Sequence, residues 1–291
     1  MNEVLLSIVL GIVEGLTEFL PVSSTAHLRI CEKLMNIDLD SPYWKMFTIV
    51  IQLGAILALP VYFGTRIRNF LKTFPKGENG DRSMMDHPVT LTLIAFVVTA
   101  IPSWLLSKII GKNLGSMYIF GSALLIGGVI MWIVDRMFVA GRVDHVERMG
   151  LLQAIWIGAA QILSAVFPGT SRSMSTIAAG QVAGLTRATA LEFSFLVSIP
   201  TMFAATGYEL LKTIHPKQAA GEPLIAPVHM TAHQWALVGI GTVVSFIVAL
   251  GVVAWFMNWV RQRGFTPFAV YRIVLGAIVL VWAYRLAHGQ A

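Results

Sequence analysis

Glu14 and Glu18 interrupt an otherwise apolar run, and the residues that follow complete a set suited to phosphate chemistry. Spaced four apart on a helix, the two carboxyls share one face. Inside a membrane segment an ionisable side chain costs at least about 2.5 kcal/mol, which marks each as a functional candidate. Two such neighbours repel, which prepares one of them to carry a proton; alternatively they hold a hard divalent cation through oxygen ligands. Solvated glutamates on a surface helix would explain the pair alone, but not the segment PVSSTAH at 21–27. There Pro21 ends a helix by removing a backbone donor and clashing with the preceding turn. Ser23, Ser24 and Thr25 are good N-caps for the next helix, whose N-terminus offers unpaired N–H groups to a phosphate. Ser24 and His27 fall within three residues of each other, one able to serve as nucleophile and the other as base or acid.

A second segment, PGTSRSMST at 168–176, repeats the arrangement and adds an arginine. Gly169 lets the backbone approach a ligand closely. Thr170, Ser171 and Ser173 supply hydroxyls, with Ser171 placed to cap. Arg172 is permanently charged and carries a planar fork matched to phosphate oxygens. Without a ligand, Glu14 or Glu18 is its natural partner.

These residues need elements to hold them, and the chain is built for lipid. Of 291 residues 56% are hydrophobic and 12% charged, against roughly 25% charged in soluble domains. Candidate spans of the required length, about 20 residues, lie near 47–64, 89–107, 116–135, 190–211, 236–257 and 268–286. Two apolar stretches, 3–20 and 151–167, are short for a span, and each runs into one of the Pro-Ser/Thr segments. Both read as re-entrant hairpins, whose broken backbone must be buried in protein or line a wet cavity. The expected fold is therefore an all-α polytopic membrane protein with about six transmembrane helices and two re-entrant hairpins.

The halves resemble each other. A shift of 147 residues lays Gly11 on Gly158, Glu14 on Gln161, Pro21 on Pro168 and Ser24 on Ser171; a shift of 146 lays Phe47 on Phe193. A single membrane domain, 1–291, then divides into repeats of about 1–140 and 148–291. Three spans each make them inverted, an architecture that places sites at the repeat interface. In that topology eleven basic residues, Arg66, Arg68 and Lys72 among them, share one side and eight the other, which favours both termini outside the cytoplasm.

The N-terminus has no basic region or cleavage site and reads as mature protein rather than a removed signal. Cys31, the only cysteine, rules out an intrachain disulfide and a cysteine-based metal site. A net charge of +6, spread between apolar runs, suits anionic headgroups and not nucleic acid.

EGLTEFLPVSSTAHL at 14–28, FTIVIQLGAI at 47–56, PGTSRSMST at 168–176 and FSFLVSIPT at 193–201 resemble the bacterial undecaprenyl-diphosphate phosphatase family, also called the bacitracin-resistance protein. The resemblance runs through YRIVLG at 271–276. It implies hydrolysis of undecaprenyl diphosphate, a polyprenyl diphosphate carrier lipid, to the monophosphate and phosphate in the bacterial cytoplasmic membrane; the site is expected to open to the outer side. It also implies that Glu14, Glu18, Ser24, Thr25, His27, Ser171, Arg172 and Ser173 form the site, with Mg or Ca falling on Glu14 and Glu18. Thr48 departs from the acidic residue of some relatives and receives no catalytic role; Gln52 is expected to make a helix–helix hydrogen bond. The nucleophile is Ser24, with His27 or Glu18 as base, or else His27 or an activated water. A transporter or flippase for the same lipid phosphate is the rival reading, since inverted repeats with broken helices also serve transport. A homodimer stays open.

Overall fold

A computed structural model describes residues 2–37, 41–77, 80, 83–106, 116–214 and 230–288. Arg82, Lys108, Lys112 and Lys217, counted above for orientation, lie outside them. Eleven α-helices account for most of the described chain, and among the described residues there is no strand. In order they are α1 (Glu3–Thr17), α2 (Ser24–Leu34), α3 (Pro42–Tyr62), α4 (Gly64–Thr73), α5 (Pro88–Leu105), α6 (Met117–Met137), α7 (Leu151–Val166), α8 (Arg172–Val182), α9 (Arg187–Ile214), α10 (Ala232–Arg263) and α11 (Thr266–Ala287).

Six of these, α3, α5, α6, α9, α10 and α11, are long and apolar enough to cross a membrane, so the protein is a multi-pass membrane protein. They match the six expected spans with small shifts at the ends. Proline occupies the first turn of α3, α5 and α11, where its missing N–H costs nothing. Thr231 and Gln234 form a reciprocal capping box that starts α10. By contrast α1, at 15 residues, is about 22 Å long, well short of the ~30 Å hydrocarbon layer. Helix α7, at 16 residues, is similarly short.

Packing follows a reciprocal plan. Helix α1 lies on α10, while α7 lies on α5; α3 contacts both α9 and α10, and α9 contacts α5; α6 and α11 pair with each other. Both short helices approach their partners through glycine. A Cβ on Gly11 would stand 2.6 Å from the Gly241 carbonyl oxygen of α10, and one on Gly158 would stand 2.5 Å from that of Ala95 in α5. No other residue permits backbones that close. Beneath the break after α1, Phe19 is fully buried, and its ring meets Phe195 edge-on at 5.4 Å.

Polar clamps tie the connections at the α3–α4, α6–α7 and α10–α11 ends. Buried Asp135 accepts from Arg187 Nε (2.7 Å) and from the Phe265 and Thr266 backbone N–H groups (3.0 Å each). Arg66 reaches Glu147 at 2.6 Å and Glu192 at 2.8 Å.

Candidate active site

Each short helix gives way to a break that ends in the same unusual backbone. Ser23 has φ 72° and Ser171 has φ 70°. A non-glycine residue held in the left-handed region costs about 1–3 kcal/mol, and such strain concentrates at functional sites. Each serine caps the helix that follows: Ser23 Oγ accepts from Ala26 N and Ser171 Oγ from Met174 N, both at 3.4 Å. The residue matching Ser171 is therefore Ser23, not Ser24. The offset of 147 set by the prolines becomes 148 at the caps, because one more residue separates Pro168 from Ser171 than Pro21 from Ser23. Freed from capping, Ser24 donates its Oγ proton to Glu18 Oε2 at 2.5 Å.

The two breaks meet. Arg172 Nη2 reaches Glu18 Oε1 at 3.3 Å, and Ser173 Oγ donates to the Leu20 carbonyl at 3.0 Å. Arg272 of α11, wholly buried, donates through Nη1 to the Pro21 carbonyl (3.1 Å) and through Nη2 to those of Gly169 (3.1 Å), Thr170 (2.9 Å) and Ala123 (3.1 Å). One guanidinium thus holds both breaks and α6.

A cavity of about 220 Å³ opens between the breaks. Glu18, Ser23, Ser24 and Thr25 line it from the first, and Gly169, Ser171 and Arg172 from the second. Arg172 Nη1 is buried without a hydrogen-bond partner, a strong donor with unused capacity beside the cavity. Ser24 and Arg172 thus hold opposite oxygens of one carboxylate.

The remaining expected residues sit around this core. Glu14 is fully buried beside Glu18 and does not line the cavity, and neither of its carboxylate oxygens is reached by a protein donor. Thr170 faces a separate apolar groove. Gly169 has φ 98° and brings its backbone against Phe120 of α6, where a Cβ would lie 2.9 Å from the carbonyl oxygen; the close approach is to a helix as well as to the cavity. His27 is not paired with Ser24. Its Nδ1 lies 2.7 Å from the Ser23 carbonyl and its Nε2 2.7 Å from Tyr271 Oη. The carbonyl can only accept, so Nδ1 carries the proton and Nε2 accepts from the tyrosine. Gln52 lines the cavity and makes no helix–helix hydrogen bond among the described residues, while Thr48 bonds back to Trp44 and Lys45 within its own helix.

Tyr271 and Arg272 were not singled out in the sequence. Arg272 carried a usable signal: it is an ionisable residue inside the apolar run 268–286, the criterion that marks Glu14 and Glu18. Tyr271 had none, since its partner lies 244 positions away.

The profile of the family described as Bacitracin resistance protein BacA matches residues 7–278. A protein of Koribacter versatilis (strain Ellin345) named undecaprenyl-diphosphatase is 65% identical over 286 residues, covering 98% of this chain and 100% of the relative. Relatives with the same name from Caldanaerobacter subterraneus and Thermus thermophilus are 39% and 37% identical, each over 281 residues. Those two alignments cover 96% of this chain, and 96% and 97% of the relatives respectively. With both helix breaks inside the matched region, the chain belongs to the bacitracin resistance protein BacA family.

Proposed function

We propose that the protein is an integral membrane phosphatase that hydrolyses undecaprenyl diphosphate to undecaprenyl phosphate and phosphate, renewing the carrier lipid for cell-wall synthesis and thereby conferring bacitracin resistance. The names of the relatives support the substrate. The observation that carries the chemistry is the Ser24–Glu18–Arg172 constellation: a hydroxyl already hydrogen-bonded to a carboxylate, with a partly unsatisfied arginine on that carboxylate's other oxygen.

In the proposed reaction the terminal phosphate enters the cavity and takes the free Nη1 of Arg172, which offsets the charge on its equatorial oxygens. The N-terminus of α8, and that of α2, add backbone dipoles. Ser24 Oγ attacks the terminal phosphorus in line as Glu18 takes its proton, and the bridging P–O bond breaks to release undecaprenyl phosphate. Water then attacks the phosphoserine, restoring Ser24 and releasing phosphate. His27, with both ring nitrogens occupied elsewhere, fixes the Ser23 carbonyl and with it the strained turn beside the nucleophile.

A divalent cation fits this residue set. Among the described residues no cluster of three or more acidic, His or Cys ligands exists, but Mg²⁺ is commonly held by one or two carboxylates and completed by substrate phosphates and water, and Ca²⁺ by carboxylate, carbonyl and water oxygens. Glu14, with two unpartnered buried oxygens, and Glu18 would hold the ion, which when bound would neutralise diphosphate charge.

The substrate's isoprenoid tail fits the apolar groove of about 860 Å³ between α6, α7 and α8, which is lined by Ile126, Trp156, Leu163 and Met174 and shares the second break as a wall with the polar cavity. The reciprocal packing of α1 on α10 and α7 on α5 supports inverted repeats, and the shortness of α1 and α7 supports re-entrant hairpins. The basic-residue asymmetry supports placing both termini outside the cytoplasm, and the site is proposed to open to that same outer face. The same packing plan favours a flippase as the second reading. Detergent-solubilised protein separates the two: the phosphatase releases phosphate without compartments, and Arg172→Ala lowers that rate by at least about a hundredfold, the scale of losing one transition-state donor. Near-normal release by Arg172→Ala would remove the phosphate clamp.

A further inference from the structure

Helix α4 begins one residue after α3 ends, at Phe63. Its residues divide into two faces. Arg66 turns inward to Glu147 and Glu192 and lies over the ring of Phe70, which is buried, while Thr73 approaches His87. The opposite stripe consists of Gly64, Ile67, Arg68, Leu71 and Lys72, the i, i+3, i+4, i+7, i+8 spacing of an amphipathic helix. With Pro60 of α3, it lines an open groove of about 480 Å³.

The groove has two chemically distinct walls. Ile67, Leu71 and Pro60 form the apolar one, and Leu71 is 62% exposed. It continues into the exposed apolar surface of α3, where Val61 and Tyr62 face outward. Arg68 and Lys72, four residues apart on adjoining turns, form the basic one, and neither makes an ion pair among the described residues. Two unpaired cations bordering a greasy trough at the end of a membrane span match an anionic phospholipid, whose phosphate lies at the depth where its acyl chains begin. A soluble phosphate would gain nothing from the apolar wall, and a zwitterionic lipid would offer less to the paired cations.

We propose that the α3–α4 groove binds an anionic phospholipid of the adjoining leaflet, its phosphate on Arg68 and Lys72 and its upper acyl chains against Ile67, Leu71 and Pro60. The site is separate from the hydrolytic cavity, and its existence does not depend on the reaction proposed there.

Native mass spectrometry of the full-length protein, titrated with phosphatidylglycerol or phosphatidylcholine of identical chains, tests this. Wild-type protein retains phosphatidylglycerol preferentially. R68Q/K72Q weakens that retention roughly twenty-five-fold, at about fivefold for each charge near an anionic surface, and L71S weakens it with both charges intact. Undiminished hydrolysis and an unchanged melting temperature in both variants certify the fold. Equal retention of the two lipids by wild type, or full retention by R68Q/K72Q, overturns the proposal. Displacement by millimolar inorganic phosphate with L71S indistinguishable from wild type overturns it in favour of a small-anion site. A dimer mass that disappears in R68Q/K72Q overturns it in favour of a second copy of the chain.

Discussion

At the scale of single residues, the decisive fact is which group holds the Ser24 proton. A hydroxyl hydrogen-bonded to Glu18 at 2.5 Å has its base in place, and His27 faces away with both nitrogens occupied. The histidine's contribution then runs through backbone position. His27→Ala and Tyr271→Phe are expected to lower turnover by similar amounts, about tenfold, and the double variant by no more than the worse single one, because both act through one chain of contacts. Steady-state rates of the three variants check this; a His27→Ala loss as deep as that of Ser24→Ala would restore the histidine to proton transfer. Much of this level was legible in the residue types, since buried charge in lipid is too costly to be idle. Partnership was not. Ser23, Ser24 and Thr25 are equivalent as caps on paper, and only the backbone at φ 72° decides that Ser23 takes the cap and leaves Ser24 free.

At the scale of elements, two proline-broken hairpins must stay in contact although neither is long enough to be anchored as a span. Arg272 supplies that contact. Removing its guanidinium leaves four carbonyls without this donor, those of Pro21 and Gly169 in buried hydrogen bonds and those of Ala123 and Thr170 in part-buried ones, and each buried one costs about 1–3 kcal/mol if nothing replaces it. Arg272→Met is expected to lower the melting temperature and abolish turnover together, whereas Arg272→Lys keeps the charge, loses the fork and retains part of both. Thermal melts and phosphate release on the same samples decide the matter; an Arg272→Met protein with wild-type activity would show that the breaks hold together by themselves. Glycine contacts act at the same level. Gly158→Val forces a Cβ against the Ala95 carbonyl and is expected to destabilise by about 1–3 kcal/mol through overpacking, read as a lowered melting temperature. The hairpins could be anticipated from Pro21 and Pro168, but the identity of their clasp could not, because it depends on α11 packing against α6.

At the scale of the whole molecule, six spans were readable because runs of apolar residues of sufficient length have few alternatives to crossing a bilayer. Helix α4 escaped notice, as its ten residues mix basic and apolar types and read as a polar connection. The proposed outward facing of the site makes a prediction of its own. Thr25 is exposed and lines the cavity, so Thr25→Cys in a Cys31→Ser background should react with a membrane-impermeant thiol reagent applied to intact cells. Labelling only after permeabilisation would place the site on the cytoplasmic side.

The central claim is that Ser24, activated by Glu18 and faced by Arg172, opens the diphosphate. Rapid quenching of purified protein with undecaprenyl diphosphate labelled in its terminal phosphate tests it most directly. Label is expected on the peptide containing Ser24, with neither label nor appreciable phosphate release in Ser24→Ala of unchanged melting temperature. Release by Ser24→Ala at close to the wild-type rate would contradict it.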